Sequence, residues 1–113
     1  MSFNKITMVG NVGRDPELRS LARGRAVCNF DVAVNETTRD QKSSATWFRV
    51  TVWGERAAVC AQNLKKGSAV YVAGRLKPRK WEDKQGEIHV SLDVNASDVR
   101  FFGRSESKTI RAS

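Results

Sequence analysis

The sequence predicts an all-β fold: five strands closed as a Greek-key barrel, with one short α-helix between the third and fourth strands. Three observations carry that prediction. Apolar residues recur at every second position in several separate stretches, the signature of half-buried strands. Only one stretch, after Gly54, changes to helical spacing. The chain has 113 residues, of which 40% are hydrophobic, which suits one folded domain with a single core.

The elements follow in order. In Lys5 to Val12, residues Ile6, Met8 and Val12 share one parity, and Gly10 and Gly13 permit close backbone approach in a curved first strand. From Gly13 to Gly24 the chain carries Asp15-Pro16 and several arginines and is predicted to be a loop. In the second strand Cys28, Phe30, Val32 and Val34 alternate with Val27, Asn29, Asp31 and Ala33. Residues 35–46 are polar without periodicity and predict a mobile hairpin loop. The third strand, Trp47 to Trp53, places Phe48, Val50 and Val52 on one face and Trp47, Arg49, Thr51 and Trp53 on the other. Ala57, Cys60, Ala61 and Leu64 then recur at i, i+3, i+4 and i+7, a short amphipathic helix stopped by Gly67. The fourth strand turns Val70, Val72 and Leu76 inward and Tyr71, Ala73, Arg75, Lys77 and Arg79 outward. A charged turn, Asp83-Lys84-Gln85-Gly86, leads to a fifth strand with Ile88, Val90, Leu92 and Val94 inward and His89, Ser91 and Asp93 outward. Val99 to Phe102 closes the series. This element order is that of the oligonucleotide/oligosaccharide-binding barrel, or OB-fold.

Charge narrows the partner. Lys and Arg number 20 against 12 Asp and Glu, a net charge of +8, with a pI near 10.1. Such an excess favours a polyanion, nucleic acid before an anionic membrane surface, although positive charge also serves solubility. No apolar run reaches the ~20 residues of a membrane-spanning helix, and no leader opens the chain. Cys28 and Cys60 lie far apart without metal-ligand spacing and read as buried free thiols of a cytoplasmic protein.

The candidate binding residues come from strand parity. Because Phe48, Val50 and Val52 occupy the core side of the third strand, Trp47 and Trp53 fall on the solvated side with Arg49 and Thr51. Large exposed aromatics need a ligand or a subunit interface to cover them. Bases stack on such rings with little preference among sequences. A second patch, Arg75-Leu76-Lys77-Pro78-Arg79-Lys80-Trp81, sets Arg75, Lys77, Arg79 and Trp81 away from the core with Lys80 beside them. Edge protection accounts for the cations and Pro78 but leaves Trp81 unexplained; phosphate attraction plus a stacking platform accounts for both. Lys5, of outward parity, is a further phosphate candidate. Arg14, Arg19, Arg23 and Arg25 crowd the first loop and Arg39 and Lys42 the second, with no spacing that selects among them.

Catalytic signals are absent. His89 is the single histidine and reads as a surface residue. No nucleophile–base motif or phosphate-binding glycine loop is present. Asp31, Asp93 and Asp98 are the carboxylates that a Mg²⁺-dependent nuclease would need, but they sit on different elements without a motif. No catalytic residue, metal or cofactor is expected.

Several stretches resemble the bacterial-type single-stranded DNA-binding proteins. They are Asn4-Lys5-Ile6 leading to Val9-Gly10-Asn11-Val12-Gly13-Arg14-Asp15-Pro16-Glu17, then Trp47-Phe48-Arg49-Val50, Lys65-Lys66-Gly67-Ser68-Ala69-Val70-Tyr71-Val72, and Gly74-Arg75-Leu76 through Arg79-Lys80-Trp81. The resemblance spans about residues 3–102. It implies an OB-fold homotetramer, cytoplasmic and nucleoid-associated, that coats single-stranded DNA in replication, recombination and repair. In that family the positions matching Trp47, Trp53 and Trp81 stack on bases, and those matching Lys5, Arg79 and Lys80 contact phosphates. Related readings are an assembly module of the replication-restart type and an RNA-binding chaperone.

The chain departs from the family pattern in places. Thr38 stands where relatives often have a stacking Trp, Trp53 where many have Phe, and Phe48 where His is common. The expected domain is 1–103, followed by a flexible basic tail, 104–113. That tail ends Lys108-Thr109-Ile110-Arg111-Ala112-Ser113, without the acidic tip through which relatives recruit other proteins, so recruitment does not carry over.

Overall fold

The computed structural model describes residues 2–37 and 43–102. Six strands and one α-helix follow in order: β1 (Ile6–Val12), β2 (Glu17–Ser20), β3 (Ala26–Thr37), β4 (Ser43–Trp53), α1 (Glu55–Asn63), β5 (Ala69–Glu82) and β6 (Ile88–Phe101). The sheet order is β1-β5-β6-β4-β3-β2, and a further β1–β3 pairing closes β1 back onto β3. Five strands thus form a closed ring, with β2 as an appendage on β3. This is the OB-fold, with its helix between the third and fourth strands of the ring.

Closure depends on β1, which pairs antiparallel with β5 from Ile6 to Asn11 and with β3 at Asn11 and Val12. Gly10 sits at that corner. A Cβ there would overlap the carbonyl oxygen of Ala33 and approach Val32 Cγ1 to 2.7 Å, so the two strands meet only because the position lacks a side chain. Inside the ring, Phe30, Val32, Val50, Val52, Val70, Val72 and Val94 are each 1% exposed or less. The helix contributes Ala57 and Cys60, and Leu64 follows at its end, all buried in the same core. The helical spacing in the sequence therefore marks the face that α1 turns inward.

The structure corrects the sequence reading at several places. Glu17–Ser20, expected as loop, is a strand paired with Ala26–Asn29 of β3. All four of its residues are exposed, so no hydrophobic period announced it. Val27, expected outward, is buried because β2 and β4 flank it in the register Arg19–Val27–Trp53. Ala73, also expected outward, is 2% exposed; the register shift between Ala73 and Gly74 leaves Ser97 of β6 as an extra residue opposite them, and Ser97 Oγ donates to the Ala73 carbonyl.

Ile88 and Val90, expected in the core, are 69% and 56% exposed. The reason is geometric. β6 pairs with β4 only from Asp93 to Asn95, while its pairing with β5 runs from Phe101 back to Ile88. The β5–β6 hairpin consequently extends past the ring, where inward parity has no interior to face. His89, expected on the surface, is half-buried against a neighbour in that same hairpin. The polar stretch 35–46 is in part paired strand, to Thr37↔Ser43. Thr38, Arg39, Lys42 and the predicted tail 104–113 lie outside the described residues.

Candidate nucleic-acid interface

β4 lies between β3 and β6 and presents two opposite faces. Val50 and Val52 are sealed in the core, while Trp47 and Trp53 remain 53% and 43% exposed. Arg49 is exposed between them and Thr51 half-buried. Cross-strand register extends this face into two rows: Asp31, Arg49, Asp93 and Lys77 in one, Asn29, Thr51, Asn95 and Arg75 in the next.

A groove of about 460 Å³ opens along the first row toward the projecting hairpin. Trp47, Arg49, Arg79 and Trp81 line it together with Arg14, Asp31 and His89. Trp47 rests on Gly13: a Cβ at that glycine would overlap the six-membered ring of the indole, lying 2.6 Å from Cη2. Trp81, 46% exposed, stacks on His89 with ring centroids 4.5 Å apart and planes 24° from parallel. The arginines are held in position. Arg14 Nε pairs with Asp31 at 3.0 Å, and Arg79 Nε with Asp93 at 3.1 Å.

Trp53 lies outside this groove. The guanidinium of Arg25 sits 5.1 Å from its ring centroid, a cation–π contact. Its Nε1 points to Asn95 Oδ1 at 3.5 Å. Asn95 also borders a second hollow, of about 330 Å³, which brings Lys5 and Arg75 together. Lys77 and Lys80 are exposed on β5 and belong to neither hollow; Lys77 pairs in register with Asp93 and Lys80 with Val90. Of the ten residues selected by sequence, the structure thus gathers four in the main groove and two in the smaller hollow.

Sequence reasoning underrated several participants. Arg14 and Arg25 were members of an undifferentiated basic loop; the nearby carboxylate Asp31 and the indole of Trp53 single them out only in three dimensions. His89 carries no sequence signal beyond parity, Asn95 none, and Gly13 only that of close backbone approach. The three carboxylates considered for Mg²⁺ are instead each paired with an arginine, Asp98 with Arg100 at 3.3 Å. Among the described residues, one group of His and carboxylate side chains has its ligand atoms within 4.8 Å of one another: Asp83, Glu87 and His89. His89 Nε2 lies 2.7 Å from Asp83 Oδ2. That hydrogen bond is the main reason the Asp83 carboxyl lies below its usual range, with backbone N–H groups of the turn adding to it. Burial raises the thiol of Cys28, and burial together with Cys28 pushes Cys60 up to about 11, with Arg56 opposing. Such thiols are poor nucleophiles.

The profile of the "Single-strand binding protein family" matches residues 3–102. This chain belongs to that family. Among curated members of the single-strand binding protein family, the "Single-stranded DNA-binding protein" of Neisseria meningitidis serogroup A is 38% identical over 107 residues, covering 91% of this chain and 62% of that protein. The protein of the same name in Neisseria meningitidis serogroup B gives the same values. "Single-stranded DNA-binding protein 1" of Chlorobaculum tepidum is 37% identical over 110 residues, covering 93% of this chain and 68% of that relative. The chain therefore spans less than two thirds of the length of the Neisseria relatives. Among the described residues no helix is long and apolar enough to cross a membrane.

Proposed function

We propose that the chain binds single-stranded DNA with little sequence preference and protects it during replication, recombination and repair. Bases stack on Trp47, Trp53 and Trp81, and phosphates follow the cations between them. One observation carries this reading: two half-exposed indoles, Trp47 and Trp81, border a single groove whose cations are Arg14, Arg49 and Arg79. A ring open to solvent on a rigid strand is a platform for any base, since every base offers a π face. Three arginines in the same groove neutralise the backbone that links successive bases. Arg75 and Lys5 continue the track toward Trp53, with Lys77 and Lys80 along the hairpin and Thr51 on the floor between the tryptophans. The working form is a homo-oligomer, a tetramer by the family resemblance.

Titration with oligo(dT) of increasing length tests this. Indole fluorescence quenches on binding, and log K falls with log[salt] at a slope of about −0.7 per phosphate neutralised. With the three groove arginines engaged, a slope of about −2 or steeper is expected. Equal affinity for duplex DNA, or binding without quenching, refutes the reading.

A further inference from the structure

The hairpin formed by β5 and β6 carries a contact that strand patterning alone does not require. Trp81 and His89 are register partners across the two strands, and their rings are stacked face to face. Cross-strand aromatic pairs stabilise a hairpin, but this one is tied down further. His89 Nε2 is 2.7 Å from Asp83 Oδ2. The other oxygen of Asp83 accepts the backbone N–H groups of Gln85 and Glu87, both at 2.9 Å, and the Asp83 N–H donates to the Glu87 carbonyl at 2.9 Å. The imidazole is therefore fixed at one end by a turn that is itself closed by hydrogen bonds. It covers one side of an indole that keeps 46% of its surface open, and both rings border the groove.

We propose that His89, anchored by Asp83, is the positioning residue of the Trp81 platform: it backs one face of the indole and leaves the other for a base. The proposal rests on the reading of Trp81 as a base platform. An isolated tryptophan on a hairpin projecting beyond the ring samples several rotamers, and each must be given up when a base stacks on it. A ring packed behind it removes that cost in advance.

The test is an oligo(dT) titration of the intact protein, Trp81→Ala, His89→Ala and His89→Phe, with circular dichroism melts as the fold control. Expected results are a three- to tenfold weaker affinity for His89→Ala and recovery of most of that loss in His89→Phe. Parent-like binding by His89→Ala, or a His89→Phe variant as weak as His89→Ala, overturns the proposal. If Trp81→Ala binds like the parent, the platform reading of Trp81 fails and this proposal falls with it. A weakened Trp81→Ala beside an unaffected His89→Ala leaves the platform standing and removes only the role of His89.

Discussion

Replacing Gly13 by Ala is expected to weaken oligo(dT) binding, and to do so only through Trp47. A Cβ at Gly13 would stand 2.6 Å from Cη2 of the indole, whereas carbon atoms rest about 3.5–4.0 Å apart. The ring must therefore swing away by about 1 Å. Gly13 is not among the glycines of positive φ, so alanine introduces no backbone strain there. Trp47 is 53% exposed, so its displacement costs the fold little. Binding is different, because a stacked base follows the plane of its platform. Deleting a platform costs ~1–3 kcal/mol, or about five- to 150-fold in affinity. Misplacing it by an ångström is assigned about 1 kcal/mol, roughly fivefold. A double-mutant cycle by fluorescence titration separates the route. In a Trp47→Ala background, Gly13→Ala has no ring to displace and its effect on affinity vanishes. Additive losses refute the reasoning, as does a Gly13→Ala protein that binds like the parent while Trp47→Ala does not.

Arg79→Ala is expected to lower the salt slope of oligo(dT) binding by about 0.7, measured between low and moderate salt; an unchanged slope removes Arg79 from the phosphate track. Phe30→Ala, at a site 1% exposed, should destabilise the fold by ~3–5 kcal/mol in urea melts, and a loss below 1 kcal/mol means the core has been misread. Cys28 and Cys60 should resist thiol reagents at pH 8 until the chain unfolds. Because burial raises the Cys60 thiol to about 11 in the folded chain from its ordinary 9.0, stability is full below pH 9 and declines as pH rises toward 11. A melting temperature flat across that interval contradicts the burial of the thiol.

The ring itself was legible in the sequence because its strands have one wet and one dry face. Cys28, Phe30 and Val32, then Val50 and Val52, then Val70 and Val72 are all buried as alternation required, and helical spacing identified Ala57, Cys60 and Leu64. Legibility failed where the environment of a strand changes along its length. β6 is a ring strand at Val94 and a projecting ribbon at Ile88 and Val90, yet its apolar alternation runs through both. Nothing local distinguishes a valine facing a core from one facing water. The bulge on β6, at Ser97 opposite Ala73 and Gly74, has the same character, since close backbone approach accompanies it: a Cβ at Gly74 would collide with the Asn95 carbonyl oxygen and reach 2.8 Å from Ala96 Cα. β2 lacked any dry face and so had no pattern to read.

For the site, parity found the tryptophans and the cations but not the pairings among them, and those pairings shape what the groove offers. Carboxylates in the proposed phosphate track look counterproductive, since Asp31 and Asp93 subtract charge where the proposal lays a polyanion. The geometry suggests what they add. Each engages its arginine at Nε, Arg14 at 3.0 Å and Arg79 at 3.1 Å. A guanidinium has five N–H donors, so a contact at Nε leaves the donors of the far edge for a phosphate. Both arginine side chains remain more than half exposed, at 63% and 53%, and ion pairs so exposed are worth only ~0–1 kcal/mol. They are too weak to keep an arginine from its ligand and sufficient to bias its direction. Asp93→Asn separates the two effects. It raises local positive charge, which tightens binding up to about fivefold at low salt, and releases Arg79 from its orientation, which weakens binding at every salt concentration. A gain that disappears as salt rises, leaving affinity below the parent's, is the outcome expected of a carboxylate that aims its arginine. A gain that persists at high salt contradicts that role.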